Sequence, residues 1–522
     1  MQKTKKRLRN ALFVSATLLL VILFILQLRA AVAVENYLDR KLPSHIALKY
    51  DDIDVNVLRG KVELNDIDLN ISNRDTAIAH TTAHIEKLSL DGFGYWNFWA
   101  LNTISAKKLR LVGPQVKYFL QNRTKPKDTV HNGIVNLLKQ IKLNKLVVEN
   151  GYLIMYQEKP DSILVKAPKI NFSVSDLETG PEIIREMMPL TYGDYDFDSR
   201  KIMVDLGSFE KLNISRINIK DDNLVVDSLV VLSKYNKKEL SRKVVVERDH
   251  INLNIPQINF DSIGFGFDKR TFYLSSSLGT FKSPELALYR DKLVADDLSE
   301  KRLYAEILRK LPLKLNLRTL SFDNGKVIYE ERVDPDGRPG KIVFQNFDAT
   351  IDNISNTYAK GNYTKVHATA KLMGDSKMNL NVKFDFNDLN DRMYASGSVE
   401  NFDSKNLNQF LSNNLGARAN GKIDRLFFTI DGNKNKSRGN MKMQYRNFKF
   451  SVLREDGLGV NKVLTAIGNL FVNDGSKTDT DGFRHGKIEV ERDLTKSYFN
   501  YLWLNVRDGI VHTLIGDGEK KD

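Results

Sequence analysis

The sequence YDDIDVNVLRGKVELNDIDLNIS, residues 50–72, alternates apolar and polar side chains almost without interruption. Successive side chains on a pleated strand point to opposite faces, so this pattern predicts half-buried β-strands. The phase of the alternation slips by one residue at Asn65 and Asp66 and then continues. Similar segments recur along most of the chain, which predicts a mostly β protein. The apolar face of such strands has to be covered by a second sheet, a helix, closure into a barrel, or a ligand.

The composition of the chain excludes several classes of protein. It has 522 residues and no cysteine, which excludes disulfides, thiolate metal sites and cysteine nucleophiles. The formal net charge is +14, and Lys3, Lys5, Lys6, Arg7 and Arg9 supply five of these charges. The remaining basic residues are dispersed, without an arginine-rich run or a nucleic-acid-binding motif. Binding of nucleic acid and attraction to anionic lipid are the two explanations of the charge, and the location of the chain decides between them.

An apolar run follows this basic flank. Residues 11–28, ALFVSATLLLVILFILQL, are uncharged, and as a helix they would rise about 27 Å, close to the thickness of a hydrocarbon core. We predict a transmembrane anchor, with the N-terminus in the cytoplasm and the rest of the chain outside. The alternative is a cleaved signal peptide with Ala31-Val32-Ala33 as its cleavage site, although Arg29 interrupts the approach to that site. Residues 29–42 have helical composition and are predicted to form a connecting helix that ends before Pro43.

Two segments resemble each other within the chain. LNKLVVENGYLIMYQE, residues 143–158, matches LRTLSFDNGKVIYEER, residues 317–332, and a short helical pattern at residues 134–141 or 299–311 precedes each copy. The pairs Asn150-Gly151 and Asn324-Gly325 predict hairpin turns. We interpret the match as a duplication, the alternative being that any two hairpins with Asn-Gly turns look alike.

Other helical patterns are few, at residues 180–190, 404–413, 459–471 and 493–516. In the last of these, Phe499, Leu502, Trp503, Val506 and Ile510 share one helical face. This helix is predicted to close the end of a β core, with docking on a membrane surface or a partner as the alternative.

The sequence contains no catalytic constellation. HExxH, GxSxG and a phosphate-binding loop are absent, and the eight histidines are scattered. His80 and His84 would lie about 13 Å apart on a strand, too far to share a metal, whereas on a helix they could share one. In DGFGYWNFW, residues 91–99, Trp96 and Trp99 are expected either in the core or at a membrane interface. These two residues and Trp503 are the candidate membrane-interface residues.

The order of basic N-terminus, single span, short helix and HIALKYDDIDVNVLRGKVELNDIDLNI, residues 45–71, resembles the start of AsmA-like proteins of Gram-negative bacteria, the AsmA/TamB-type β-groove proteins. The segments KLVVENGYLIMY and TLSFDNGKVIYEE, and the ending DLTKSYFNYLWLNVRDGIVHTLIG, are also similar to that family. The resemblance implies an elongated, curled antiparallel β-sheet with an apolar inner channel. It further implies a role in moving phospholipid between membranes or in envelope assembly, without catalytic residues.

Acyl chains could then replace a missing second layer of protein, since burying each methylene group contributes about 0.8 kcal/mol. The candidate lipid-contact residues are the apolar positions of the first strands: Ile53, Val55, Val57, Val62, Leu64, Ile67, Leu69 and Ile71. An alternative function is a structural factor that assists assembly of outer-membrane proteins through strand edges. An enzyme acting on envelope polymers is disfavoured because the sequence offers no site.

The predicted organisation has six parts: a cytoplasmic tail (1–10), the anchor (11–28), the connecting helix (29–42), an N-terminal β-groove region (45–310), a C-terminal β-groove region (311–492), and an amphipathic helix with a tail (493–522). The expected location is the inner membrane, single-pass, with the bulk of the chain in the periplasm. The expected partners are phospholipid or another envelope lipid, the inner membrane and an outer-membrane protein. Nucleic acid and cofactors are not expected.

Overall fold

The computed structural model describes residues 27–36, 42–73, 76–123, 139–157, 162–452, 478–516 and 518–519. Strands make up 58% of the protein and form one mixed sheet of 24 strands, which confirms the predicted mostly β class. Backbone contacts divide the chain into two units. Unit 1 comprises Met1–Asp205 and Asn213–Asp221, and unit 2 comprises Leu206–Leu212 and Asp222–Asp522. The predicted boundary between residues 310 and 311 lies inside unit 2.

Unit 1 holds the first nine strands: β1 (Ile46–Lys49), β2 (Asp52–Asn56), β3 (Lys61–Ser72), β4 (Ala79–Asp91), β5 (Thr103–Val112), β6 (Gln115–Phe119), β7 (Gln140–Tyr156), β8 (Ile163–Thr179) and β9 (Tyr195–Asp205). Strand β10 (Glu210–Lys220) contributes residues to both units. Unit 2 continues with β11 (Asn223–Ser233), β12 (His250–Asp261), β13 (Gly264–Asp268), β14 (Thr271–Ser276), β15 (Leu278–Lys282), β16 (Glu285–Asp291), β17 (Lys314–Arg332), β18 (Gly340–Ser355), β19 (Thr364–Leu372), β20 (Ser376–Phe384), β21 (Met393–Asp403), β22 (Ala417–Gly432), β23 (Lys436–Val452) and β24 (Arg484–Glu491).

The described helices are short except for the last: α1 (residues 27–36), α2 (Tyr95–Ala100), α3 (Lys237–Lys243), α4 (Tyr304–Arg309), α5 (Asn408–Leu415) and α6 (Tyr498–Ile515). Helices α4, α5 and α6 confirm three of the predicted helical segments. The prediction for residues 180–190 is wrong, since only a 3-10 turn, Ile183–Arg185, forms between Pro181 and Pro189. Residues 134–138 and 459–471 lie outside the described part of the chain.

The predicted anchor lies almost entirely outside the described residues, which begin at Gln27. Among the helices that are described, none is both long enough and apolar enough to cross a bilayer. Helix α1 overlaps the first part of the predicted connecting helix, and residues 37–41 are not described.

Left-handed residues interrupt several long strands without ending them. Asp66 in β3 lies at the phase slip in the alternation and has a φ of 48°. Asn150 in β7 and Lys169 in the adjacent strand β8 have φ angles of 53° and 58°. The pairing of β7 with β8 shifts register at these residues, as in a bulge, whereas the pairing of β3 with β4 keeps its register across Asp66. In all three strands the alternation of side chains resumes on the other phase. Leu64 and Ile67, on either side of the slip, therefore pack in one hydrophobic cluster.

The sequence predicted an antiparallel sheet, but the observed sheet also contains parallel pairs of strands. Asn150-Gly151 lies inside the continuous strand β7, and Asn324-Gly325 lies inside β17, so neither pair forms a hairpin turn. An Asn-Gly pair supplies a left-handed residue equally well to a two-residue turn and to a bulge, and only the pairing of strands distinguishes the two.

The same backbone motif surrounds both Asn-Gly pairs. Strands β5 and β6, joined through Gly113, pair in parallel with β7, and strands β15 and β16, joined through Ser283, pair in parallel with β17. The Gly113 N–H donates to a β7 carbonyl at 2.9 Å, and the Ser283 N–H donates to a β17 carbonyl at 2.8 Å. This shared pattern supports the interpretation of the two segments as a duplication.

In unit 2, protein covers the apolar face of strands β18 to β24. Met441, Met443 and Ile488 on these strands are at most 1% exposed, and they belong to one core with residues of α4, α5 and α6. On these strands, therefore, the described helices pack against the apolar face.

Helix α6 does not bury the face that its hydrophobic pattern predicted. Its buried positions are Tyr501, Asn505, Gly509, Thr513 and Leu514, whereas Phe499 is 66% exposed and Trp503 39% exposed. Leu502, Val506 and Ile510 are partly buried at the margin of the core. Around Gly509 and Thr513 the buried residues are small, because the helix backbone approaches β24 too closely there for large side chains.

Candidate functional site: an open apolar face in unit 1

One face of unit 1 is apolar from strand β2 to strand β9. Residues that pair directly across neighbouring strands lie on the same face of a sheet, so the register defines rows of side chains. One row consists of Ile53, Leu64, Leu88, Leu111, Val148, Phe172 and Phe197. A neighbouring row consists of Val55, Val62, Leu90, Leu109, Leu146, Val174 and Tyr195.

Two further rows lie beyond the left-handed residues and continue the same face. One consists of Leu69, Ala83, Val116, Leu153 and Ala167. The other consists of Ile71, Thr81, Tyr118, Met155, Val165 and Val204. We call these four rows together the apolar face of unit 1.

Most side chains of the apolar face are only half-buried. In the first row Leu64 is buried, while Leu88, Leu111, Val148, Phe172 and Phe197 remain partly exposed. Among the described helices of unit 1, α2 packs against β5, and the 3-10 turn Leu120–Asn122 packs against β4 and β7. Among the described residues, this face is less covered than the core of unit 2, and it is the candidate site.

The opposite face of the same strands is polar and carries ion pairs between neighbouring strands. Arg110 Nε donates to Glu149 Oε1 at 2.9 Å, and Lys142 Nζ lies 2.9 Å from a carboxylate oxygen of Glu178. Glu63 in β3 lies 2.8 Å from Lys87 and 2.9 Å from Lys61, and it accepts a hydrogen bond from the Ser89 hydroxyl. An apolar ligand is not expected to bind to this charged face.

The contacts of Glu63 predict a pH-dependent stability. Lys87, followed by Lys61, lowers the pKa of Glu63 from 4.5 to about 2. A lowered pKa in the folded state stabilises the protein above the unfolded value of 4.5, and this contribution is lost as the pH falls towards 2. We expect Glu63→Gln to lower the urea midpoint of unfolding at pH 7, and the difference from the wild type to disappear as the pH falls through this range.

A matched control for this prediction is Asp68→Asn, because Asp68 forms an ion pair with His84 but is 65% exposed. Exposed ion pairs contribute little, so this variant is expected to behave like the wild type at every pH. A difference between Glu63→Gln and wild type that stays constant down to pH 2 would contradict the assignment.

The eight lipid-contact candidates from the sequence lie in or beside these rows. Val55, Leu64 and Ile67 are buried, and the other five are half-buried. Sequence reasoning missed the residues of β4 to β9 that complete the face, notably Leu111, Phe172 and Phe197. Their strands show the same alternation, but the alternation does not reveal which strand pairs with which.

The tryptophans of the aromatic segment are not in a core. Trp96 and Trp99 in α2 are 75% and 81% exposed, so of the two expected environments the interior is excluded. Phe93 and Phe98 pack against one another instead, with ring centroids 5.7 Å apart.

The potential metal-ligating side chains are dispersed over the described residues. Within those residues, no three His, Cys, Asp or Glu side chains lie close enough together to hold a metal ion. His84 instead lies 3.0 Å from Asp68, and His80 lies 2.8 Å from the Thr81 hydroxyl.

Unit 2 has an open cleft of about 950 Å³ on the polar face of strands β18 to β24. His367, Lys383, Tyr394, Arg438 and Glu489 are among its lining residues. Lys383 lies over the Tyr394 ring at 4.8 Å, and His367 is hydrogen-bonded to Asn381 at 2.8 Å. Four basic and three acidic side chains line this cleft, so its charge is nearly balanced.

Comparison with known proteins adds no assignment to this geometry. No protein-family model matches the chain, and a search of curated proteins finds no significant relative. The similarity to AsmA-like proteins therefore rests on the sequence patterns alone.

Proposed function

We propose that this protein is a membrane-anchored, non-enzymatic lipid-binding protein that holds acyl chains of phospholipid, or of another envelope lipid, on the apolar face of unit 1. The observation that carries the proposal is the continuity of four rows, mostly apolar, in which most side chains remain half-exposed. The AsmA-like resemblance, the basic N-terminus and the apolar run at residues 11–28 support a place in the inner membrane, with the bulk of the chain in the periplasm, and a role in lipid homeostasis of the outer membrane.

The size of the face suits a lipid chain. The first row crosses seven strands, which at about 4.8 Å per strand corresponds to roughly 29 Å. One leaflet of a bilayer is about 15 Å of hydrocarbon, so an acyl chain fits within half of this row. Ten buried methylene groups would contribute about 8 kcal/mol before the costs of ordering the chain. Holding a lipid in this way requires no polar site, since the headgroup stays in water.

Photo-crosslinking tests the proposal directly. Phe172 lies on the apolar face, and the next residue, Ser173, lies on the polar face of the same strand. With a benzophenone amino acid at position 172 of the full-length protein in cells fed a clickable fatty acid, we expect covalent capture of lipid. The same probe at position 173 should capture little. Equal capture at both positions, or capture of protein without lipid at position 172, would reject lipid binding and favour the assembly-factor alternative.

A pair of substitutions on β7 gives a second test. Val147 and Val148 are both half-buried, but Val148 faces Leu111 and Phe172, while Val147 pairs with Arg110 and Ser173. We expect Val148→Asp to reduce lipid capture at least about tenfold, because a carboxylate on this face has to be dehydrated when a chain binds. Val147→Asp places the same charge beside Arg110 and should leave capture unchanged. Native mass spectrometry of the extracted complexes provides an independent measure of bound lipid.

A further inference from the structure

A cluster of exposed apolar side chains lies at the end of unit 1 where the described chain begins. Leu58 in the turn between β2 and β3 is 75% exposed, Trp96 and Trp99 in α2 are 75% and 81% exposed, and Leu101 after α2 is 60% exposed. Exposed tryptophans are costly in water and are enriched at membrane–water interfaces. We call Leu58, Trp96, Trp99 and Leu101 the aromatic patch.

The turn and the helix that carry the patch are joined through their backbones. The Phe93 N–H, just before α2, donates to the Gly60 carbonyl at 2.9 Å, and the Tyr95 hydroxyl donates to the Val57 carbonyl at 2.9 Å. Gly60 has a φ of 59°, and a Cβ there would lie 2.8 Å from the Phe93 nitrogen, so the two segments are in direct contact. The patch is thus held by a fixed backbone arrangement.

Val57, which accepts the hydrogen bond from Tyr95 of α2, also forms a hydrogen bond with the end of the apolar run. The Val57 N–H donates to Gln27 Oε1 at 2.8 Å, and Gln27 Nε2 donates to the Val55 carbonyl. Gln27 is the first described residue and lies one position before the end of the run at residues 11–28. Val57 therefore contacts both Gln27, near the end of the apolar run, and Tyr95 of α2, the helix that carries the two tryptophans.

From these contacts we infer that the aromatic patch is a docking surface for the interface of a phospholipid bilayer. This inference rests on the membrane anchoring in the proposed function, because a span ending at Leu28 places Val57 and its neighbours at the membrane surface. Trp96, Trp99, Leu58 and Leu101 then insert at the level of the headgroups. Exposed Arg59 lies in the same turn as Leu58, and Lys139 Nζ lies 3.8 Å from the Phe98 ring of α2. These cations favour an anionic surface. Docking of this kind would fix unit 1 at the bilayer, so that lipid could move between the bilayer and the apolar face.

Tryptophan fluorescence of the full-length protein in phosphatidylcholine vesicles tests this inference. Trp503 is first replaced by phenylalanine, so that Trp96 and Trp99 are the only tryptophans. With acyl chains brominated near the headgroup, we expect about twofold quenching of their emission relative to unbrominated vesicles, as for side chains at an interface. Adding phosphatidylglycerol should preserve or strengthen the quenching.

The matched control carries a single tryptophan at the other end of the strands. In a background with all three tryptophans replaced by phenylalanine, Lys117→Trp places the reporter on β6, whose residue 117 pairs with Thr82 of β4. Thr82 lies nine residues along β4 from Asp91, or about 30 Å from the end that bears the patch. This reporter should not be quenched.

Two outcomes would overturn the docking surface: no quenching of Trp96 and Trp99, or equal quenching of the Lys117→Trp reporter. Lipid capture at position 172, measured in the same samples, separates this inference from the proposed function. Capture without quenching rejects only the patch, whereas quenching without capture rejects only lipid binding on the apolar face.

Discussion

Gly509→Leu is expected to detach helix α6 from the sheet and to destabilise unit 2 by about 3 kcal/mol, the upper part of the range for overpacked cores. A Cβ at position 509 would lie 2.8 Å from Met441 Cε and 3.0 Å from Ile488 Cγ1, and both of these residues are at most 1% exposed. The helix backbone itself is close to the strand, since a Cβ at Gly486 of β24 would lie 2.5 Å from the Thr513 nitrogen. A larger side chain can therefore be accommodated only if the helix moves away.

Chemical denaturation and limited proteolysis measure this effect, the second because a released α6 is cleaved first. The matched control is Phe499→Leu, which introduces the same residue on the same helix at a position that is 66% exposed. This control should change the unfolding free energy by less than about 0.5 kcal/mol. If Gly509→Leu were as stable as the control, the close contact of α6 with β23 and β24 would be wrong.

Glu247→Ala is expected to cost unit 2 about 3 kcal/mol, because it removes the buried carboxylate that two partly buried lysines share. The Glu247 side chain is only 4% exposed, and its carboxylate lies 2.6 Å from Lys292 Nζ and 3.4 Å from Lys496 Nζ. Lys292 follows β16, and Lys496 precedes α6 by two residues. The carboxylate thus ties the entry of α6 to another part of unit 2.

Asp296→Ala is the matched control, since Asp296 contacts the same two lysines at 3.0 and 3.8 Å but is 51% exposed. Solvent screens an exposed pair, so the control is expected to lose less than about 1 kcal/mol. Thermal unfolding of both variants, followed at pH 7, compares them directly. Equal losses would show that burial of Glu247 does not determine the strength of this network.

Several features of the fold could be predicted from local sequence alone. Alternation identified the strands of β2 and β3, and the phase slip at Asp66 was visible before its left-handed conformation was known. Asp221-Asp222, a pair typical of tight turns, joins β10 to β11 with φ angles of 50° and 58°. These features depend only on neighbouring residues, through the period of a strand and the few conformations that a tight turn permits.

The local sequence also predicted that α6 is a helix, but it did not predict which face of the helix is buried. The hydrophobic pattern selected Phe499 and Trp503, which are exposed, because it weights a residue by size and apolarity. The contact with β24 instead favours Gly509 and Thr513, since a helix backbone this close to a strand leaves no room for large side chains. Whether such a close approach exists depends on residues from two distant parts of the chain.

The sequence by itself determined the class of the protein: many half-buried strands, an apolar run behind a basic flank, and no catalytic motif. The tertiary structure decided which strands pair, that Asn150 and Asn324 lie inside strands, and where the apolar face is covered by helices and where it stays open. The physical reason is that alternation has the same period whether a strand faces protein or a ligand. Only long-range pairing determines what lies opposite each apolar side chain.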